Sequence, residues 1–121
     1  MDEALDRYKR VFGLVPSQRG PVPDQQVEVA FLPMGDTQLE LISPTSPNTG
    51  VARFLERHGE SLHHVAFAVQ DIESELARLQ AEGVALIDTT PREGAHGRVA
   101  FVHPKGTGGV LVELIEGPPA R

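Results

Sequence analysis

The sequence LHHVAFAV at residues 62–69 is an apolar run that opens with two histidines, and a helical pattern follows it from Asp71. Side chains alternate between the two faces of a strand. If this run is a strand, His64 shares a face with its two alanines, and His63 shares the other face with its bulky side chains. The small residues leave space in front of His64, which is therefore a candidate metal ligand or base. The alternative is an ordinary half-exposed strand histidine.

Three segments of the chain recur about 70 residues later. VAF at residues 29–31 recurs at 99–101, LELI at 39–42 recurs as VELI at 112–115, and LDRY at 5–8 matches LARL at 76–79. Such repetition indicates two copies of one structural unit. We expect an α+β fold of two tandem β-α-β-β-β modules that form a cleft in a single domain spanning residues 1–121. Module 1 covers about 1–44, a connector with a short helix 45–60, and module 2 about 61–116.

The first module is expected to lack its opening strand. At a repeat spacing of 71 residues, Ile72 corresponds to Met1, so the strand at 62–69 has no counterpart in this sequence. Its absence would leave neighbouring backbone edges unpaired.

Flanking residues predict the other elements. We expect helices at 2–13 and 51–58, an N-cap at Asp71, and strands at 27–33, 38–42, 84–87, 98–103 and 110–115. Residues 15–26 are expected to form a loop or ragged edge strand, and residues 89–97 a loop.

Glu40 and Glu113 occupy matching positions within apolar strands of the two repeats. A carboxylate there is costly to bury unless it is paired or binds a cation. If the bulky faces of the strands lie under the helices, Glu28, Glu40, His64 and Glu113 all point to the concave side. One imidazole with carboxylates suits a divalent cation in an open catalytic site. The alternatives are a solvated sheet face for Glu40 and Glu113, and an edge-strand position for Glu28.

Composition limits the function classes. The 121 residues include no cysteine, which excludes disulfides and thiolate zinc sites, and the formal net charge of −6 disfavours nucleic-acid and anionic-membrane surfaces. We expect a cytoplasmic protein without a membrane segment. Candidate residues for binding an anionic ligand are Arg92, Arg98 and Lys105. The histidines at 58, 63, 96 and 103 are weaker candidates for site residues than His64.

Four segments resemble the methylmalonyl-CoA epimerases of the vicinal-oxygen-chelate superfamily. These are VAFLPMGDT from residue 29, LELISPTSP from residue 39, LHHVAF from residue 62 and AHGRVAFVHPK from residue 95. The resemblance covers essentially the whole chain.

The resemblance implies a divalent metal held by Glu40, His64, Glu113 and a first-strand histidine that this sequence lacks. Cobalt is expected first, with manganese, magnesium, zinc or nickel as alternatives. The resemblance also implies that Glu28 and Glu113 flank C2 of methylmalonyl-CoA and exchange its proton through a metal-stabilised enediolate. The partners implied are an acyl-CoA substrate and a second copy in a homodimer. Without the first-strand ligand, we expect weak metal binding and reduced or absent activity. A glyoxalase I-type lyase and a metal-free binding protein of the same fold are the alternatives.

Overall fold

The computed structural model describes residues 1–117, which divide into two compact units, residues 1–61 and residues from 62 onward. The elements of unit 1 are α1 (Asp2–Phe12), β1 (Gln18–Val22), β2 (Val27–Met34), β3 (Thr37–Pro44) and α2 (Gly50–His58). The elements of unit 2 are β4 (Val65–Val69), α3 (Ile72–Ala81), β5 (Arg92–Gly94), β6 (Gly97–Val102) and β7 (Val112–Glu116).

Unit 1 contains an antiparallel sheet of order β1-β2-β3, and unit 2 contains a sheet of order β4-β7-β6-β5 in which β4 runs parallel to β7. Unit 2 is thus a complete β-α-β-β-β module. Within unit 1, and among the described residues 1–61, no strand occupies the edge of β3 that corresponds to the β4 edge of β7. The predicted α+β fold is confirmed.

The repeated segments pair in the same register in both units. Val29-Ala30-Phe31 lies opposite Ile42-Leu41-Glu40, and Val99-Ala100-Phe101 lies opposite Ile115-Leu114-Glu113. Ala30 and Ala100 are each 0% exposed, at equivalent positions. Directly opposed residues of antiparallel strands share a sheet face. Each glutamate is therefore beside the phenylalanine of its own repeat.

The core of unit 2 lies between α3 and the central strands. Ile72 and Leu76 of α3 pack on Ala100 and Val102 of β6 and on Val112 and Leu114 of β7. Because α3 covers β6 and β7, strand β4 stays mostly exposed, and Phe67 keeps 57% of its surface. The expected packing of the bulky β4 face under the helix is therefore realised only at Val69, at the end of the strand.

The C-terminal end of α1 and the N-terminal end of α3 follow local rules. Gly13 ends α1 with φ of 70°, a left-handed conformation that glycine adopts without steric cost. The Asp71 side chain caps α3 as predicted, since its Oδ1 accepts a hydrogen bond from the Ser74 backbone N–H at 3.1 Å. Unit 2 adds a second anchor there, because Glu116 Oε2 accepts from the Ile72 backbone N–H at 3.0 Å.

Two predicted elements are wrong. Residues 84–87 form a single bridge, Leu86 with Val102, instead of a strand. The predicted loop at 89–97 contains β5, whose three residues pair with β6. The edge-strand alternative for residues 15–26 holds at β1.

Candidate functional site

His64 and Glu113 meet on one face of the unit 2 sheet. His64 directly precedes β4, and Ala66 of β4 lies beside Glu113 of β7 in the parallel register. This register brings His64 close to Glu113. His64 Nε2 lies 3.2 Å from Glu113 Oε1, and each side chain is 9% exposed. The predicted association of these two residues is present.

This arrangement accounts for a carboxylate in an apolar strand. Glu113 is 7% exposed, among neighbours that form the core of unit 2. Burying a carboxylate without a partner costs several kcal/mol or shifts its protonation. The imidazole of His64 supplies the polar partner that the strand itself does not.

Further groups hold His64 in place. His63 Nδ1 lies 2.9 Å from His64 Nδ1, and the Phe101 ring meets the His64 ring nearly edge-on with centroids 5.8 Å apart. Burial lowers the pKa of His63, and His64 lowers it further, whereas Glu113 acts in the opposite direction. Sequence alternation had placed His63 on the packing side of the strand, but both histidines lie ahead of β4, where that alternation is not imposed.

Behind Phe101 stands a polar support that the sequence analysis did not identify. The Arg92 guanidinium lies 5.7 Å from the Phe101 ring centroid and forms an ion pair with Asp88 at 3.2 Å. Asp88 Oδ2 also accepts a hydrogen bond from the Phe101 backbone N–H at 2.8 Å. The repeated VAF segment, paired with the glutamate strand, was the available signal for Phe101.

Glu40 belongs to unit 1, where it is half-buried in β3 opposite Phe31 of β2. Its position relative to Phe31 matches that of Glu113 relative to Phe101. The structure therefore confirms that Glu40 and Glu113 are equivalent residues of the repeat.

The expectation that Glu28 shares a sheet face with Glu40 is wrong. Glu28 lies opposite Ser43 in the β2–β3 register, whereas Glu40 lies opposite Phe31, and the two glutamates therefore point to opposite faces. Glu28 Oε2 accepts from Arg19 Nε at 2.9 Å, and Arg19 also pairs with Asp2 of α1 at 2.7 Å. The Glu28 carboxylate is thus linked through Arg19 to α1. The reason for the error is the register, which places the bulky residues Val29 and Phe31 of β2 on the face of Glu40 and leaves Glu28 on the other face.

Arg98 was a predicted contact for anionic ligands, but in the structure it forms ion pairs within unit 2. Its guanidinium pairs with Glu116 at 2.8 Å and with Glu73 of α3 at 2.8 Å. These carboxylates raise the pKa of Arg98, and Arg98 in turn lowers the pKa of Glu116, with a further lowering by the Ile72 backbone N–H. This cluster fastens α3 to the sheet.

The other candidates lie outside the His64–Glu113 pair. His103 Nδ1 accepts from the Lys105 backbone N–H at 3.0 Å. His58 ends α2, and its ring contacts the Phe54 ring at a tilt of 40° with ring centroids 4.6 Å apart. No described helix is both long and apolar enough to cross a membrane.

The donor set suits a divalent cation. An imidazole nitrogen and a carboxylate oxygen, 3.2 Å apart and nearly enclosed, are ligands that Co²⁺, Zn²⁺ and Mn²⁺ accept. Catalytic sites of this type leave coordination positions for substrate. His64 and Glu113 therefore fit the cation that the sequence predicts.

Comparison with known proteins agrees with this geometry. Residues 1–102 match the family described as Glyoxalase/Bleomycin resistance protein/Dioxygenase superfamily. A mitochondrial methylmalonyl-CoA epimerase of Dictyostelium discoideum is 38% identical over 96% of this chain and 71% of its own length. An ethylmalonyl-CoA/methylmalonyl-CoA epimerase of Cereibacter sphaeroides is 33% identical over 94% of this chain and 87% of its own length.

A solved structure agrees as well. A Streptomyces coelicolor methylmalonyl-CoA epimerase variant, in complex with 2-nitronate-propionyl-CoA, superposes with a TM-score of 0.89 and 32% identity. That match covers 97% of this chain and 90% of the other. The chain therefore belongs to the glyoxalase, bleomycin-resistance and dioxygenase superfamily and, within it, to the methylmalonyl-CoA epimerase family of enzymes.

Proposed function

We propose that this protein epimerises methylmalonyl-CoA at C2 by a 1,1-proton transfer. The observation that carries the proposal is the buried His64–Glu113 pair, in a chain whose relatives are epimerases of acyl-CoA substrates. The reaction needs a base beside C2 and stabilisation of the negative charge that forms when the proton leaves.

Glu113 is the proposed base. It lies in the central strand β7, where the core fixes its backbone, and His64 holds one of its carboxylate oxygens. A carboxylate has two oxygens, so that one can face His64 and a cation while the other accepts the C2 proton. The enclosed position strengthens electrostatic interactions relative to water.

We propose that Glu40, His64 and Glu113 are the ligands of a divalent cation, with cobalt as the first candidate. The support is the donor chemistry of the pair and the equivalence of Glu40 and Glu113 in the repeat. When bound, the cation supplies Lewis-acid stabilisation of the enediolate form of the substrate. The homodimer expected from the resemblance, like the cytoplasmic location, stays a prediction.

Inversion at C2 also needs a proton donor on the opposite face of the carbon. Glu28 was the predicted second base. Its position on the α1 side, in an ion pair with Arg19, does not support that role. The proposal therefore assigns proton removal to Glu113 and the return of a proton on the opposite face of C2 to water, and it leaves Glu28 with a structural contact.

The test is stereochemical. One epimer of methylmalonyl-CoA is incubated with the Co²⁺-supplemented protein in D₂O, and formation of the other epimer and deuterium at C2 are followed by mass spectrometry after coupling to a stereospecific mutase. Succinyl-CoA formation with C2 deuteration supports the proposal. Turnover of the methylglyoxal–glutathione hemithioacetal without methylmalonyl-CoA turnover would instead identify a glyoxalase I-type lyase.

A further inference from the structure

His63 contacts the candidate ligand directly, although it has no place in the proposed ligand set. Its Nδ1 lies 2.9 Å from His64 Nδ1, with the two ring planes at 89°. Both histidines are partly buried. The second ring nitrogen of His64, Nε2, faces Glu113. The two nitrogens of His64 therefore have separate partners.

The position of the single N–H proton on the neutral His64 ring determines the role of its contact with His63. A neutral imidazole carries one N–H, and the nitrogen that binds a cation must be the one without it. If Nε2 of His64 offers its lone pair on the Glu113 side, the ring proton is on Nδ1. That N–H then needs an acceptor, and the lone pair of His63 Nδ1 lies at hydrogen-bond distance.

We propose that His63 is the positioning residue of His64: it accepts the Nδ1–H hydrogen bond, selects the tautomer that offers Nε2 to the cation, and fixes the ring orientation together with Phe101. Groups that bind the second nitrogen of a ligating histidine commonly have this effect. This inference rests on the cation site proposed above. It assigns His63 no contact with substrate.

Two variants of His63 distinguish the effect of its hydrogen-bond acceptor from the effect of its side-chain size. Asn places an amide oxygen near the position of Nδ1 and can still accept the bond, whereas Phe keeps a ring of similar size without an acceptor. His58→Phe is the matched control, because His58 is exposed at the end of α2, in the other unit.

The measurement is Zn²⁺ affinity by titration calorimetry, with Zn²⁺ alone as the probe. We expect His63→Phe to bind about 10- to 100-fold more weakly than wild type, and His63→Asn and His58→Phe to bind nearly as tightly as wild type. Thermal unfolding in EDTA verifies that each variant is folded.

A second readout is independent of affinity. In ¹H–¹⁵N spectra of the Zn²⁺-loaded wild type, His64 should carry its proton on Nδ1 and His63 on Nε2. Unchanged affinity in His63→Phe, or a His64 proton on Nε2 in the loaded wild type, overturns the role of His63. A wild-type protein that binds no Zn²⁺, Co²⁺ or Mn²⁺ overturns the cation site itself, which distinguishes the two failures.

Discussion

The two units share the same strand pairing but differ in what lies beside the glutamate strand. In each, the VAF segment lies opposite the glutamate strand in the same register, so Glu40 is beside Phe31 as Glu113 is beside Phe101. In unit 2, β4 extends the sheet next to β7 and brings His64 to within 3.2 Å of Glu113. Within the described residues of unit 1, β3 has no such neighbouring strand.

This difference shows which part of the site belongs to the repeat and which part depends on the first strand. The glutamate and its aromatic neighbour come from the paired central strands, and these are present in both units. The imidazole comes from the opening strand, and only unit 2 of the described chain has one. The site is therefore built from the repeat plus one strand.

The largest expected effect comes from exchanging each glutamate of the repeat. Glu113→Gln removes the proposed base and a ligand, and the rate of C2 proton exchange should fall by about 10²- to 10⁴-fold even at saturating Co²⁺. Glu40→Gln removes a ligand only, so excess Co²⁺ should restore most of the rate. Deuterium exchange measured across a Co²⁺ titration compares the two. Equal, metal-insensitive losses in both variants would contradict the division of roles.

Adding a copy of the β4 segment ahead of Met1 should make unit 1 resemble unit 2. A copy of residues 62–71, LHHVAFAVQD, is fused ahead of Met1, where the repeat spacing places it. The fused strand should raise Co²⁺ affinity by about tenfold or more, since it supplies another imidazole. The control carries Ala at the second histidine of the copy and should bind as the parent does. Equal exchange rates and affinities for all three proteins would contradict the assignment of the first strand.

A smaller effect is expected at the anchor of α3, on the stability of unit 2. Because Arg98 lowers the pKa of Glu116 in the folded protein, this carboxylate stabilises the fold above its unfolded pKa of about 4.3, and the stabilisation is lost as the pH falls through the lower, folded value. Glu116→Gln should be less stable than wild type at pH 7, and the difference in stability should be smaller near pH 3.

Urea unfolding at the two pH values measures the difference. The control is Glu60→Gln in unit 1, since Glu60 and its partner Arg7 are 69% and 48% exposed and such pairs contribute little. A stability difference at Glu116 that does not change with pH would show that the ion pair is not its source.

The smallest effect is expected at Glu28. Its carboxylate is on the face opposite Glu40 and pairs with Arg19, so Glu28→Gln should retain epimerisation within about threefold of wild type, far less than the loss from removing a catalytic base. The epimerisation assay decides. A loss comparable to that of Glu113→Gln would restore the two-glutamate arrangement that the sequence suggested.

The periodicity of apolar residues and the internal repeat predicted much of the fold. The VAF and glutamate segments identified the central strands of both units. The pairing of His64 with Glu113 also followed from alternation along two adjacent strands.

Expectations from the sequence were wrong where strand register or irregular backbone decides which side chains meet. Glu28 was assigned by assuming that the bulky face of β2 lies under a helix, but register with β3 decides the face, and register is not visible in one strand alone. His63 lies ahead of β4, so its contact with His64 arises from irregular backbone. The support of Phe101 by Arg92 and Asp88 depends on β5, which had been predicted as a loop.

The most direct test of the central claim is loss of deuterium from 2-deuterated methylmalonyl-CoA in water. The protein is stripped with EDTA, and the rate is measured before and after Co²⁺ is returned, in wild type and in Glu113→Gln. The account predicts Co²⁺-dependent loss of deuterium in wild type and nearly none in the variant. Equal rates with and without Co²⁺, or equal rates in the two proteins, would contradict it.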